Sequence, residues 1–410
     1  MKPFSLSNLI AGLVATTVGF TSSIVIIFQA ATTIGATPAE ISSWLLVLGL
    51  GAAVTTIGFS LYYRMPILTA WSTPGAALLV TSLAGVSMPE AIGAFVFSAI
   101  LMILAGVTGF FEKMINYIPR SLSSAMLAGI LLHFGTNIFV AMQGQFSLVL
   151  AMFMTYLIGK RFCPRFVVLL ILFVGVVIAS AEGLFHVQHL HVRAPIPLFT
   201  MPKFSLPILI SVGIPLFIVT MTSQGMPGIA VLQTSGYKPP ISPIVSWSGI
   251  TNLLLAPFGG FSYSLAAITA AICLSKEADV DPANRYKATV CAGLFYLLIG
   301  LFGATVVTLF SALPNALVMA IAGLALIGTI SSSLKTALEN EEQRESAIMT
   351  LLVTASGISL FGVGAAFWGL VAGVITLLFF RSQASTAKNV APNTNLFSST
   401  TTTLPTKTIA

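Results

Sequence analysis

Asp, Glu, Lys and Arg make up only 7% of this 410-residue chain, and long apolar runs lie between them. No other feature limits the fold as strongly. A soluble domain carries about 25% charged residues to keep its surface wet. With 56% apolar residues and a mean hydropathy of +1.00, most of this surface must face lipid. A bilayer core about 30 Å thick is crossed by roughly 20 apolar residues in a helix. Such runs are Phe4–Ala30, Ile41–Tyr63, Ala91–Phe111, Ile118–Phe134, Phe166–Ala181, Leu206–Leu232, Val290–Phe310 and Ala347–Phe380, the last long enough for two passes. The pattern predicts an all-α polytopic membrane protein with about 14 transmembrane segments, two of them short and interrupted.

A net charge of +7 and a pI near 9.4 would suit a nucleic-acid partner. The positions argue for a different cause. With a cytoplasmic amino terminus and alternating sides, Lys2, Arg64, Lys113, Arg120, Lys160, Arg161, Arg165, Lys238, Lys276, Arg285, Lys287, Lys335, Arg344, Arg381, Lys388 and Lys407 face the cytoplasm. Of the 18 Lys and Arg residues only Arg193 and Lys203 fall outside. That asymmetry is the positive-inside signature, so both termini are expected in the cytoplasm and no nucleic acid is expected as a partner. The first run is longer than a signal-peptide core and reads as an uncleaved first helix. Cys163, Cys273 and Cys291 are scattered, with no CxxC pair and no disulfide framework.

Proline and glycine punctuation recurs at an offset of about 194 residues, as a transporter built from repeats would show. Pro89 pairs with Pro282, Gly106 with Gly300, Gly109 with Gly303, Pro119 with Pro314, Gly129 with Gly323 and Gln29 with Gln224. An odd number of spans per half makes the second half enter from the opposite side, giving a 7+7 inverted repeat. The halves are residues 1–183 and 205–380. The polar, proline-rich stretch 184–204 forms an outer link. The Ser/Thr/Asn-rich tail 381–410 cannot bury a core and is expected to be disordered.

The third span contains Pro66 and Pro74, which cannot both sit within one regular helix. Residues 67–72 between them suit extended backbone. A helix can restart at Pro74 with Ser72 or Thr73 as its cap, near the middle of the membrane. The proposed mate in the tenth span opens at Pro257, loosens at Gly259 and Gly260, and offers Ser262 or Ser264 as a cap. Two half-helices would then point their electropositive N-termini at one another and bind a small anion without Arg or Lys. The plainer reading is a pair of proline kinks in packed helices. Gln224, flanked by Gly225, Pro227 and Gly228, either contacts the ligand or bonds neighbouring helices. Its mate Gln29 lacks those helix breakers. Trp71, Phe261 and Tyr263 flank the breaks and can either sandwich a flat ring or simply fill space.

Other signals are discounted. His186, His189 and His191 resemble a metal cluster but have only Glu182 nearby, so no metal and no cofactor are expected. His133 reads as a boundary histidine. Glu277, Asp279 and Asp281 could hold Mg²⁺ for a membrane prenyltransferase, but a second acidic motif on the same side is missing. No GxxxxGK[ST] loop is present.

Leu68-Thr-Ala-Trp-Ser-Thr-Pro-Gly-Ala-Ala-Leu-Leu-Val, Ala125-Met-Leu-Ala-Gly-Ile-Leu-Leu, Ala266-Ala-Ile-Thr-Ala-Ala-Ile-Cys and Leu352-Val-Thr-Ala-Ser-Gly resemble the bacterial benzoate:proton symporter (BenE) family. That family is similar in architecture to nucleobase, ascorbate and sulfate transporters. The resemblance implies a core of spans 1–4 and 8–11 (about 5–112 and 205–310) moving like an elevator against a gate of spans 5–7 and 12–14 (about 113–183 and 311–380). It implies a substrate site among Ser72, Thr73, Pro74, Gln224, Gly260, Phe261, Ser262 and Tyr263, with Gln29 as the symmetry-related candidate. Its partners would be a small, aromatic carboxylate anion, protons and the lipid of a bacterial inner membrane, and a homodimer is compatible with it. Nucleobase carriers place a carboxylate in span 8 where this chain has Gln224, which suits an anion and leaves the proton carrier unassigned. No enzymatic activity is implied. An inorganic anion channel or exchanger is the first alternative, and the Mg²⁺-dependent transferase a remote one.

Overall fold

The computed structural model describes residues 4–110, 119–164, 167–184, 195–358, 360 and 365–390. The histidines of the outer link and residues 391–410 lie outside them.

Leu6–Thr33 (α1) and Pro38–Tyr63 (α2) each begin with a capping box, Ser5 with Asn8 and Thr37 with Glu40. The strand Thr69–Trp71 (β1) leads into the half-helix Thr73–Ser82 (α3), followed by Met88–Val107 (α4). Arg120–Gly144 (α5), Phe146–Phe162 (α6) and Val167–Ala181 (α7) follow. Leu206–Gln233 (α8) is one apolar helix whose ladder loosens into π turns at Leu209–Gly213 and Thr220–Gly225. The second π turn contains Gln224, which fits the tendency of such turns to mark functional sites. After Ile241–Leu255 (α9) come the strand Tyr263–Leu265 (β2) and the short helix Ile268–Leu274 (α10). The chain continues through Tyr286–Leu301 (α11), Gly303–Ser311 (α12), Asn315–Leu338 (α13), Arg344–Ala355 (α14) and Ala365–Val390 (α15).

Among the described residues, 7 helices are long and apolar enough to cross a membrane: α1, α2, α4, α5, α8, α9 with its extension to Phe258, and α13. Shorter apolar pieces supplement them, including Val167–Ala181 and Ala365–Phe380. The chain is a mostly helical, multi-spanning membrane protein. Two runs differ from the sequence reading. Val290–Phe310 divides between α11 and α12 at Phe302, and the last helix continues to Val390, past the expected start of the tail at 381.

The helices pack in two groups. In one, α2 lies on α11, α4 on α9, α1 on α11, α3 and α10, and α8 on α3, α4 and β2. In the other, α5 lies on α13 and α14, α14 on α15, and α6 on α7.

At the heart of the first group β1 and β2 pair antiparallel, with Thr69 opposite Leu265, Ala70 opposite Ser264 and Trp71 opposite Tyr263. A two-stranded sheet buried at membrane depth must have both outer edges closed, because lipid offers no hydrogen bonds. Side chains close them. Thr56 of α2 donates its hydroxyl to Thr69 O (2.9 Å) and accepts Thr69 N–H (3.0 Å). Asn252 of α9 accepts Tyr263 N–H at 2.7 Å and donates to Tyr263 O at 3.4 Å.

Candidate functional site

The two strands deliver their half-helices to one cavity of about 240 Å³. Its walls include Gly19, Trp71, Thr73, Pro74, Ser223, Gln224, Ala267, Ile268, Thr269 and Tyr296 from the first helix group, and Leu131, Leu326 and Thr329 from the second. The cavity shares Ser223, Ala267, Ile268 and Thr329 with a chamber of about 480 Å³ that reaches Arg120 and Thr336. A separate chamber of about 620 Å³, lined by His133, Ser211 and Thr354, lies against the C-terminal end of α3 and shares no wall residue with the cavity.

Ser72 caps α3 as its position predicts. It is fully buried, its Oγ accepts Gly75 N–H at 3.0 Å, and its own N–H donates to Ser262 O at 2.8 Å. It holds the wall from behind, whereas Thr73 and Pro74 line the cavity directly. With Gly75 capped and Pro74 lacking an N–H, Thr73 carries the one free amide in that first turn among the described residues.

The second break differs from the expected one. Its helix starts at Ile268, and Ala267 at the cap position has no side-chain oxygen. Neither Ser262 nor Ser264 caps it, because the pairing with β1 takes residues 263–265 into the strand. The N–H groups of Ile268, Thr269 and Ala270 therefore make no hydrogen bond among the described residues. A buried helix end left this way has donors available for a ligand.

Gly260, Phe261, Ser262 and Tyr263 do not line the cavity. Phe261 packs against Trp44 and Phe95, with ring centroids at 6.0 and 5.9 Å. Tyr263 donates its hydroxyl to Val47 O at 2.6 Å. Ser262 has a positive φ of 40° at the bend that starts β2. Gln29 sits near the C-terminal end of α1, away from the cavity, where its carbonyl accepts from the Thr32 and Thr33 hydroxyls. Gln224 does line the cavity, and its Nε2 donates to Ala70 O (3.1 Å), Trp71 O (3.2 Å) and Ser264 O (3.4 Å). It ties both strands together from the cavity side.

Tyr296, Thr269, Ser223 and Thr329 were not singled out by the sequence. Tyr296 is fully buried, and its hydroxyl, beside Thr269, makes no hydrogen bond of ordinary geometry among the described residues. Its ring meets Trp71 edge-on at 5.3 Å, and Trp71 is itself fixed by Nε1 donating to Ser23 Oγ at 2.7 Å. The offset of about 194 residues, the spacing expected of a repeat, carries β1 onto β2 and the start of α3 onto Ala267. That rule would have found α10.

In the acidic loop, Asp279 Oδ1 accepts Asp281 N–H, and Asp281 accepts Ala283 N–H and the Asn284 side chain. These carboxylates build the turn.

Comparison with known proteins agrees with this architecture. The family model described as benzoate membrane transport protein (BenE) matches residues 2–379. Inner membrane protein YdcO of Escherichia coli (strain K12) is 47% identical over 375 residues, covering 91% of this chain and 96% of that protein. The benzoate membrane transport protein of Acinetobacter baylyi is 39% identical over 385 residues, covering 94% and 98%. In fold the chain is similar to SLC26A9 (TM-score 0.61, 11% identity), spanning 92% of this chain but only 65% of that one. It is also similar to the transmembrane domain of the cyanobacterial bicarbonate transporter BicA (TM-score 0.56, 14% identity), spanning 90% and 97%. The family model, the Acinetobacter relative and BicA are all described as transport proteins, so the transferase reading of the acidic loop is set aside.

Proposed function

The chain belongs to the family of benzoate membrane transport proteins, and on that premise we propose that it is a secondary active transporter importing a small, flat carboxylate with protons across the bacterial inner membrane. The observation that carries this reading is the cavity between the half-helices. Among the described residues it presents free amides and a buried tyrosine hydroxyl with no hydrogen bond of ordinary geometry, and no Lys or Arg lines it. Oriented donors in a low-dielectric pocket bind a carboxyl group without the desolvation cost of a buried cation. A volume of about 240 Å³ is below the range of drug-sized sites, which suits a single ring with one polar group. Trp71 and Tyr296 supply aromatic walls for such a ring.

The movement we propose is an elevator. The first helix group (core) carries the half-helices, and the second (gate) supplies the opposite wall through Leu131, Leu326 and Thr329. With Arg120 on the cytoplasmic side, the chamber that shares four wall residues with the cavity opens inward. The equal spacing of the two strand and half-helix units supports an inverted repeat with 14 spans and both termini inside. A second reading, an inorganic anion channel or exchanger, draws on the fold shared with SLC26A9 and BicA. Uptake of labelled benzoate into proteoliposomes separates the two. Symport predicts accumulation that follows an imposed pH gradient. Downhill flux indifferent to pH, or flux of chloride or bicarbonate without benzoate, would favour the second.

A further inference from the structure

Gln224 faces the cavity with its amide orientation already decided. Three backbone carbonyls, Ala70 O, Trp71 O and Ser264 O, surround one end of the carboxamide at 3.1–3.4 Å. Carbonyls only accept, so that end must be the NH₂. The flipped orientation would set Oε1 against three carbonyl oxygens. Oε1 is therefore the atom left toward the cavity. It makes no hydrogen bond among the described residues, and it is not sealed from the cavity space. Gln224 offers a ligand an acceptor and no donor.

An acceptor is the wrong partner for an ionised carboxylate, whose oxygens also only accept. It is the right partner for the O–H of a carboxylic acid. The other carboxyl oxygen would find donors in the free amides and the Tyr296 hydroxyl on the same walls.

The surrounding titratable groups point the same way. Among the described residues, no Asp, Glu, His, Lys or Arg lines the cavity, and Tyr296 of α11 is the one titratable side chain that does. Cys273 of α10 and Cys291 of α11 are buried outside the lining. Tyr263 of β2 is turned away to Val47. On α5, His133 belongs to the separate chamber and Arg120 to the one that adjoins the cavity. Lys335 of α13 lies outside the lining.

We propose that the coupled proton travels on the substrate. The site binds the neutral carboxylic acid, with its O–H donating to Gln224 Oε1, and no side chain acts as proton carrier. The carboxylate takes one proton from water on the entry side and returns it after release. This inference rests on the carrier reading above and adds the protonation state of its cargo.

The test is calorimetric titration of the purified full-length protein with benzoate, in buffers of different ionisation enthalpy. Above a carboxyl pKa of about 4, the expected result is uptake of one proton per benzoate bound and an apparent Kd that rises about tenfold per pH unit. Benzamide, a neutral isostere with an N–H donor, should compete with no proton uptake. Benzenesulfonate, ionised at every working pH, should not compete. Tyr296→Phe should bind more weakly yet still take up one proton. Binding of benzoate without proton uptake, competition by benzenesulfonate, or loss of proton uptake in Tyr296→Phe would each overturn the proposal while leaving the carrier reading standing. Absence of benzoate binding at any pH would overturn both.

Discussion

Asn252 and Tyr296 are both buried polar residues of the first helix group, yet their replacement should act differently on stability. Asn252 satisfies the N–H and the C=O of Tyr263. Asn252→Leu keeps the volume and leaves both groups unpaired, at about 1–3 kcal/mol each. A thermal shift in detergent should show Tm lower by several degrees, with benzoate affinity lost as β2 loosens. Tyr296→Phe removes a hydroxyl that has no partner of ordinary geometry. Stability should hold or rise slightly, while ligand affinity falls about tenfold, the weight of one net hydrogen bond. A Tm drop in Tyr296→Phe matching that of Asn252→Leu would mean the hydroxyl is structural. Gln224→Leu should lose on both counts, because its Nε2 bridges the two strands and its Oε1 faces the cavity. Its Tm and Kd should move together.

Between elements, glycine sets how near the helices come. A Cβ on Gly49 of α2 would meet Tyr296 O at 2.6 Å and Gly300 Cα at 2.7 Å on α11. Small residues that permit such backbone contact are how helices associate where lipid removes the hydrophobic drive. Gly49→Val should push α11 away, displace Tyr296 and cost about 1–3 kcal/mol by overpacking. Gly58→Ala on the same helix, where nothing lies within 4 Å, is the control and should leave Tm and benzoate binding unchanged. The same scale explains what could be read from the sequence. Ser72, Thr73 and Pro74 are legible because proline at the first helical turn and a serine cap are local chemistry. Ala266, Ala267 and Ile268 carry no such mark, since the second helix is uncapped. Pro257, Gly259 and Gly260 are the conspicuous helix breakers there instead. Their irregularity serves packing, for Gly259 at φ 94° lets Trp44 lie where a Cβ would sit 1.8 Å from its ring. The strand pairing was hidden because strands this short give no periodicity, and their outer edges are closed by Thr56 and Asn252 on distant helices. The long apolar helices were legible because bilayer thickness fixes their length whatever they pack against.

For the molecule as a whole, the elevator reading requires Ser223 and Thr329 to separate during each cycle. Both line the cavity, Ser223 on α8 and Thr329 on α13, which the proposed mechanism assigns to core and gate. By contrast, Glu90 of the core and Lys203 of the link packed on it form an ion pair at 3.0 Å that should persist throughout. This gives a paired test in a Cys163→Ser background, which removes the exposed thiol and leaves Cys273 and Cys291 buried. Ser223→Cys with Thr329→Cys, joined by a short bifunctional thiol reagent, should abolish benzoate uptake into proteoliposomes. Benzoate binding should persist if the chamber reaching Arg120, which shares four wall residues with the cavity, is its entry route. Glu90→Cys with Lys203→Cys, cross-linked the same way, should transport normally, since both residues ride on the same body. Uptake that survives the first cross-link would mean that the cavity is emptied without relative movement of the two helix groups, as a channel would empty it. Uptake lost in the second pair alone would place the moving boundary between α4 and the link that packs on it.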